Sequence, residues 1–140
     1  MSNKAKGSKN ERELLQIFTD HLWRAARVAG SGMNDNTFCD LIVGRKNYKA
    51  YAIEAKSSKS PRIYITKQQI DDFMQFCDVM GLNPVVAVRF NREGWLFLEP
   101  KQLEDSGVNW VVNLKNAKVV GKRFSQFFET QSDNIISDSY

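Results

Sequence analysis

Phe38-Cys39-Asp40-Leu41-Ile42-Val43, the polar turn Arg45-Lys46-Asn47, and the run from Tyr48 to Ser57, which holds Ile53-Glu54-Ala55-Lys56, decide how this chain is read. Each flank is rich in strand-forming residues and the turn between them is short, so the spacing predicts a hairpin. Alternate residues of a strand share a face. Ala52, Glu54 and Lys56 therefore point one way, and Tyr51, Ile53 and Ala55 the other. Alone, a Glu-x-Lys step is what a surface ion pair looks like. Asp40 changes that reading. A carboxylate in an otherwise apolar strand is costly unless it is paired or binds a metal. Hairpin pairing brings it beside Glu54. Two adjacent carboxylates repel and raise a pKa unless a cation sits between them. Oxygen ligands of this kind suit Mg²⁺, with Mn²⁺ as a substitute, and not zinc. Lys56, on the same face, is placed to orient or help deprotonate a water, or to stabilise charge building on a phosphate.

Toward the N-terminus, apolar Leu14, Leu15, Phe18 and Leu22 predict a helix from about Asn10 to Ala26. Positions 11, 15, 18 and 22 lie on one face of it. Glu11 thus extends the apolar stripe, while Glu13 is expected on the opposite, solvent side. A carboxylate in a first helical turn also favours the helix dipole, so both readings of Glu11 stay open on spacing alone. The loop from Ala29 to Asn36 contains Gly30-Ser31-Gly32, which can bring the Ser31 hydroxyl and backbone N–H groups to a phosphate; an ordinary loop fits the same residues. Residues 1–9 are Lys-, Ser- and Gly-rich, and a mobile basic N-terminus is expected.

Toward the C-terminus, Ser58 to Pro61 is a break and Arg62 to Ile65 a short strand. Thr66 and Gln69 form a capping-box pattern that opens a helix. Its buried stripe is Ile70, Phe73, Cys77 and Met80, and Gly81 and Pro84 end it. Val85–Phe90 reads as a central strand, turned by Asn91-Arg92-Glu93-Gly94 into Trp95–Leu98. Trp95 and Phe97 could form an apolar face pairing two copies, or be core. Beyond Pro100 a short helix near Pro100–Leu103, strand pieces at Trp110–Leu114 and Lys118–Val120, and a helical turn at Arg123–Thr130 are expected. Residues 131–140 read as a disordered polar tail. The order of elements predicts an α/β fold, a mixed central sheet flanked by helices, in one domain spanning residues 1–130.

Bulk properties narrow the partners. The chain has 140 residues, 42% hydrophobic and 26% charged, which suits one compact domain. No apolar run is long enough to span a bilayer and no signal core follows the charged start, so a cytoplasmic protein without membrane contact is expected. Cys39 and Cys77 lack metal-ligand spacing and read as reduced thiols. Residues 1–67 hold 13 Lys/Arg against 6 Asp/Glu, a balance of +7; residues 68–140 hold 7 against 10, a balance of −3; together they give the net +4. A basic half points to a polyanion such as nucleic acid, although a solvated charged surface has the same composition.

The chain resembles the archaeal-type Holliday junction resolvases of the restriction-endonuclease-like nuclease superfamily. The resemblance runs from about Lys6 to Leu98. It rests on Lys6-Gly7-Ser8-Lys9-Asn10-Glu11-Arg12-Glu13-Leu14, Arg27-Val28-Ala29-Gly30-Ser31-Gly32, Asp40-Leu41-Ile42-Val43-Gly44, Ile53-Glu54-Ala55-Lys56-Ser57, Ile63-Tyr64-Ile65 and Gln68-Gln69. Cys39 departs from the family's Pro or Val before the aspartate. What the resemblance implies is a homodimer that binds four-way DNA junctions and nicks two opposed strands. Glu11, Asp40 and Glu54 match the metal-binding acidic residues and Lys56 the catalytic lysine. Ser31 matches a serine that affects cleavage, and Lys6-Gly7 and Arg12 match a DNA-contacting region. Lys4, Lys6, Lys9, Arg12, Lys59 and Arg62 are candidate phosphate contacts, which set affinity without reading bases. No small-molecule cofactor is expected. Two alternatives remain: another endonuclease of the superfamily, of flap, repair or restriction type, and a non-catalytic DNA-binding module on the same fold.

Overall fold

Tyr51–Ser58 is the strand about which the molecule is organised, and it is β3 in chain order. The structure, a computed structural model, describes residues 3–28 and 38–129, with side chains from Lys9 onward. Helix α1 (Asn3–Asp20) precedes strands β1 (Arg24–Arg27) and β2 (Leu41–Gly44). After β3 come β4 (Arg62–Thr66), α2 (Lys67–Met80), β5 (Asn83–Phe90) and β6 (Gly94–Leu98). A 3-10 turn (Pro100–Gln102), β7 (Glu104–Asp105), β8 (Asn109–Asn113), α3 (Leu114–Val120) and α4 (Phe124–Phe128) complete the described chain.

The main sheet has five strands in the order β1-β2-β3-β5-β6. The expected hairpin is present: β2 and β3 pair antiparallel, with Leu41 opposite Ile53. β3 and β5 are parallel, with Glu54 opposite Val86 and Lys56 opposite Val88. Since β3 and β5 run the same way, the chain must cross over between them, and β4 and α2 provide the crossover. Val85 and Ala87 pack with Leu14, Phe18, Leu41 and Ile53 beneath α1. Val86 and Val88 pack with Ala52, Ile70, Phe73 and Cys77 beneath α2. The interior strands are thus apolar on both faces, as a sheet covered by helices on each side requires. β4 leaves this sheet for a smaller one, ordered β4-β8-β7. No described helix is long and apolar enough to cross a membrane.

Several expectations are corrected. The first helix runs from Asn3 and stops at Asp20, and residues 24–27 form β1 instead of its last turn. The stop is a Schellman-type cap: Leu22 N–H donates to the Thr19 carbonyl (3.0 Å) and Trp23 N–H to the Phe18 carbonyl (2.9 Å). Leu22 takes the left-handed conformation there, φ +69°. It is therefore 72% exposed and not part of the buried stripe, whereas Trp23 is fully buried against Phe18. Helix α2 opens as expected, with Gln69 N–H donating to the Thr66 hydroxyl (3.0 Å), but Met80 at its end is exposed. β2 begins at Leu41, leaving Phe38 outside the sheet and stacked on Phe76. Lys118–Val120 is the end of α3 and not a strand. Trp95 and Phe97 are core residues, not a face for a second copy. The Ala29–Asn36 loop with Ser31, and the 131–140 tail, lie outside the described residues.

Candidate active site

β2 begins only at Leu41, and the residue before it turns its side chain back onto β3. Asp40 N–H donates to the Ile53 carbonyl (2.9 Å). Its Oδ2 accepts from the Ala55 N–H (2.7 Å), the amide between Glu54 and Lys56. A buried carboxylate is thereby fixed by the backbone of the strand that carries the other two groups. Glu54 and Lys56 share a face, as alternation requires, with Lys56 Nζ 3.6 Å from Glu54 Oε1.

Electrostatics at the site are those of crowded acids. Burial, then the negative charge of Asp40, push the Glu54 carboxyl from the ordinary 4.5 up to about 8. Glu11 adds to the push, while the Lys56 ammonium opposes it. Cys39, next to Asp40, has its thiol pushed up to about 12 by burial and then by Glu54 and Asp40. Cys77 is held up to about 11 by burial. Both are free cysteines kept protonated by their surroundings, as expected of inert interior thiols.

Glu11 reaches the same region from α1 and is buried. Its Oε2 accepts from both Nε (3.2 Å) and Nη2 (2.9 Å) of Arg27 on β1. Glu13 does not face solvent as expected. Its Oε1 accepts from Arg89 Nε (3.0 Å) and from the Trp95 indole N–H (2.9 Å). One residue before Glu11, Asn10 Nδ2 donates to Ser57 Oγ (2.6 Å), the residue after Lys56. Asn10, Glu11 and Glu13 thus tie one helical turn to β3, β1 and the β5–β6 pair. Sequence reasoning missed these partners because each bond spans 16 to 82 positions. Arg27 alone had a signal, since it stands in one of the blocks that carry the family resemblance.

The candidates fall into three groups. Asp40, Glu54 and Lys56 are brought together. Glu11 is near enough to act on Glu54, but as placed it is engaged by Arg27. Among the described residues no three acidic, imidazole or thiolate groups are gathered closely enough to share an ion. Asp40 and Glu54 still fit a hard divalent cation: both are oxygen-bearing, and burial together with the Asp40 charge holds the Glu54 carboxyl up where a cation would offset it. Lys9, Arg12, Lys59 and Arg62 are all exposed. Lys4 and Lys6 lie on α1 with side chains outside the described part, as is Ser31.

The comparisons with known proteins agree with one another. The family model described as archaeal Holliday junction resolvase (Hjc) matches residues 2–135. The crossover junction endodeoxyribonuclease Hjc of Methanocaldococcus jannaschii is 35% identical over 108 residues, covering 77% of this chain and 76% of that protein. The crossover junction endodeoxyribonuclease Hjc of Archaeoglobus fulgidus is 31% identical over 133 residues, covering 89% and 96%. The solved structure of Archaeoglobus fulgidus Hjc, a Holliday junction resolvase, matches with a TM-score of 0.74 at 26% identity, covering 83% of this chain and 93% of that one. With a family match over nearly its whole length, and a fold and acidic strand pair of the kind described above, the chain belongs to the archaeal Holliday junction resolvase (Hjc) family.

Proposed function

We propose that this chain hydrolyses phosphodiesters of four-way DNA junctions at Asp40, Glu54 and Lys56, and that two copies act together so that opposed strands are nicked. The observation that carries the chemistry is the crowded Asp40–Glu54 pair beside the Lys56 ammonium. The junction itself comes from the family, since one site of this kind serves several DNA structures. Asp40 and Glu54, with Glu11 if it leaves Arg27, would hold Mg²⁺ or Mn²⁺; when bound, such an ion offsets the carboxylate repulsion and polarises the phosphodiester.

The chain's own groups do the rest. The Ala55 N–H keeps Asp40 from rotating away from Glu54. Glu54, whose carboxyl is held up to about 8, would release its proton if a divalent cation were bound. Lys56 steadies the attacking water, or the negative charge that builds on the phosphate. Lys9, Arg12, Lys59 and Arg62 grip the backbone, with Lys4, Lys6 and Ser31 adding contacts from their segments. Branched shape is read when two sites are held at one spacing by a two-fold pair. The exposed Val79 and Met80, with Phe38 stacked on Phe76, offer an apolar surface for that pairing.

The test is cleavage of a synthetic four-way junction, with and without Mg²⁺, beside a flap and a linear duplex. Two symmetric nicks in the junction, dependent on the ion, are expected. Equal cutting of flap or duplex would place the chain with another specificity of its superfamily. Tight junction binding with no cleavage in Mg²⁺ would make it a binding module.

A further inference from the structure

β5 and β6 are joined by the turn Phe90-Asn91-Arg92-Glu93, closed by the Glu93 N–H donating to the Phe90 carbonyl (3.0 Å). Its third residue, Arg92, has φ +66°. Glycine or asparagine is the usual choice for a positive φ at that position, because a side chain crowds the backbone there. Here the asparagine stands one place too early, at 91, and a long charged side chain takes the strained position.

The turn is attached to the catalytic strand. Asn91 N–H donates to the Ser58 carbonyl (3.1 Å), two residues beyond Lys56. Lys56 lies opposite Val88 and Ser58 opposite Phe90. Arg92 is therefore at most four residues past the level of Lys56, about 13 Å along the strands. On its far side the turn is held by Arg123, whose Nη1 donates to the carbonyls of Glu93 (2.8 Å) and Trp95 (3.0 Å). The turn's acid, Glu93, is neutralised by Lys118 at 2.9 Å. Nearby Arg89 is taken up by Glu13. Arg92 is exposed and, among the described residues, pairs with no carboxylate. Lys59, exposed on the β3–β4 connection that follows the same Ser58, and Arg62, exposed at the start of β4, add positive charge on this side.

We propose that the β5–β6 turn is a second phosphate-binding wall of the site, with Arg92 contacting the sugar–phosphate backbone within about four base steps of the scissile bond. This rests on the nuclease reading above. A guanidinium fork matches a phosphate in shape and charge, and it stands on a turn whose backbone is anchored on both sides. The positive φ of Leu22 belongs to a helix cap, whereas that of Arg92 lies on an exposed turn tied to the charged end of β3, where a cation can meet a phosphate.

Arg92→Gly separates the two roles, because glycine suits the backbone and removes the charge. Arg92→Gln removes the charge alone, and Lys46→Gln, at the β2–β3 turn, serves as a control. In Arg92→Gly the melting temperature is expected to hold or rise, while junction affinity falls roughly five- to tenfold at about 0.1 M salt. The slope of log K against log salt should shrink by about 1 in both Arg92 variants and stay unchanged in Lys46→Gln. Unaltered affinity and slope in Arg92→Gly would overturn the inference. If the parent chain binds linear duplex but no junction, the four-way reading fails while the same variants on duplex still decide Arg92. If it binds no DNA, both fall.

Discussion

At the Tyr51–Asn83 end of the parallel β3–β5 pair the sheet is closed by aromatic rings; at the Lys56–Phe90 end it is edged by charge. The first end gathers Phe18, Trp23, Tyr48, Tyr51, Phe124 and Phe128, with Phe18 in edge contact with Phe124 (4.9 Å) and Phe128 (5.1 Å). The Trp23 indole N–H is buried among these rings with no partner among the described residues. Leaving such a group unmade costs about 1–3 kcal/mol, which the surrounding ring contacts offset. The second end holds two crowded carboxylates, an ammonium, and an arginine at positive φ. Packed rings dominate the first end and like charges the second, and each end also holds one non-glycine residue at positive φ, Leu22 at the first and Arg92 at the second. The same strands serve both, since a rigid apolar end is what lets a polar end be held in an unfavourable arrangement.

Three measurements would break or sharpen that contrast. The largest effect is expected at the charged end: Asp40→Asn should lower the junction cleavage rate about a thousandfold or more, a loss of about 4 kcal/mol in transition-state stabilisation. It should melt no lower than the parent, because it removes repulsion on Glu54. A variant that cuts normally would take Asp40 out of the site. At the aromatic end the sign reverses. Phe18→Ala should cost about 3–4 kcal/mol in denaturant unfolding and leave the cleavage rate of the still-folded fraction near that of the parent. A comparable loss in Asp40→Asn would erase the distinction between the ends.

The smallest effect is in pH. The folded Glu54 carboxyl titrates near 8, against 4.5 for the ordinary group. Between those values the folded chain keeps a proton that the unfolded chain releases, so stability without divalent ion falls as pH rises from about 4.5 to about 8. The fall is read as a loss of melting temperature across that range. Glu54→Gln should flatten the curve, and added Mg²⁺ should counter the loss at the alkaline side. A curve that rises with pH, and is unchanged in Glu54→Gln, would contradict the crowding at this site.

Much of the site was legible because it is local. Glu54 and Lys56 are two apart on one strand, and Asp40 sits just before its hairpin partner, so alternation and one short turn bring them together. Helix α2 was legible because its cap is written in Thr66 and Gln69. The end of α1 was not: the usual glycine is replaced by Leu22, and Arg24-Ala25-Ala26-Arg27 is composed of good helix formers that become a strand only by pairing with β2. Glu13 was misjudged for a related reason. Helical phase ranks residues by angle, but the strands beneath α1 present Arg89 and Trp95 as partners far away in sequence.

By itself, then, the sequence determined the strand that carries Glu54 and Lys56, the acidic pair beside a lysine, the mixed α/β order and the family, because these depend on period, spacing and short-range turns. Only the tertiary structure decided that Glu11 is met by Arg27, that Glu13 staples α1 to the β5–β6 pair, that Trp95 and Phe97 are core, and that Arg92 stands at an anchored turn tied to β3. Each of these depends on which distant residues the packed sheet brings together, and no local pattern carries that information.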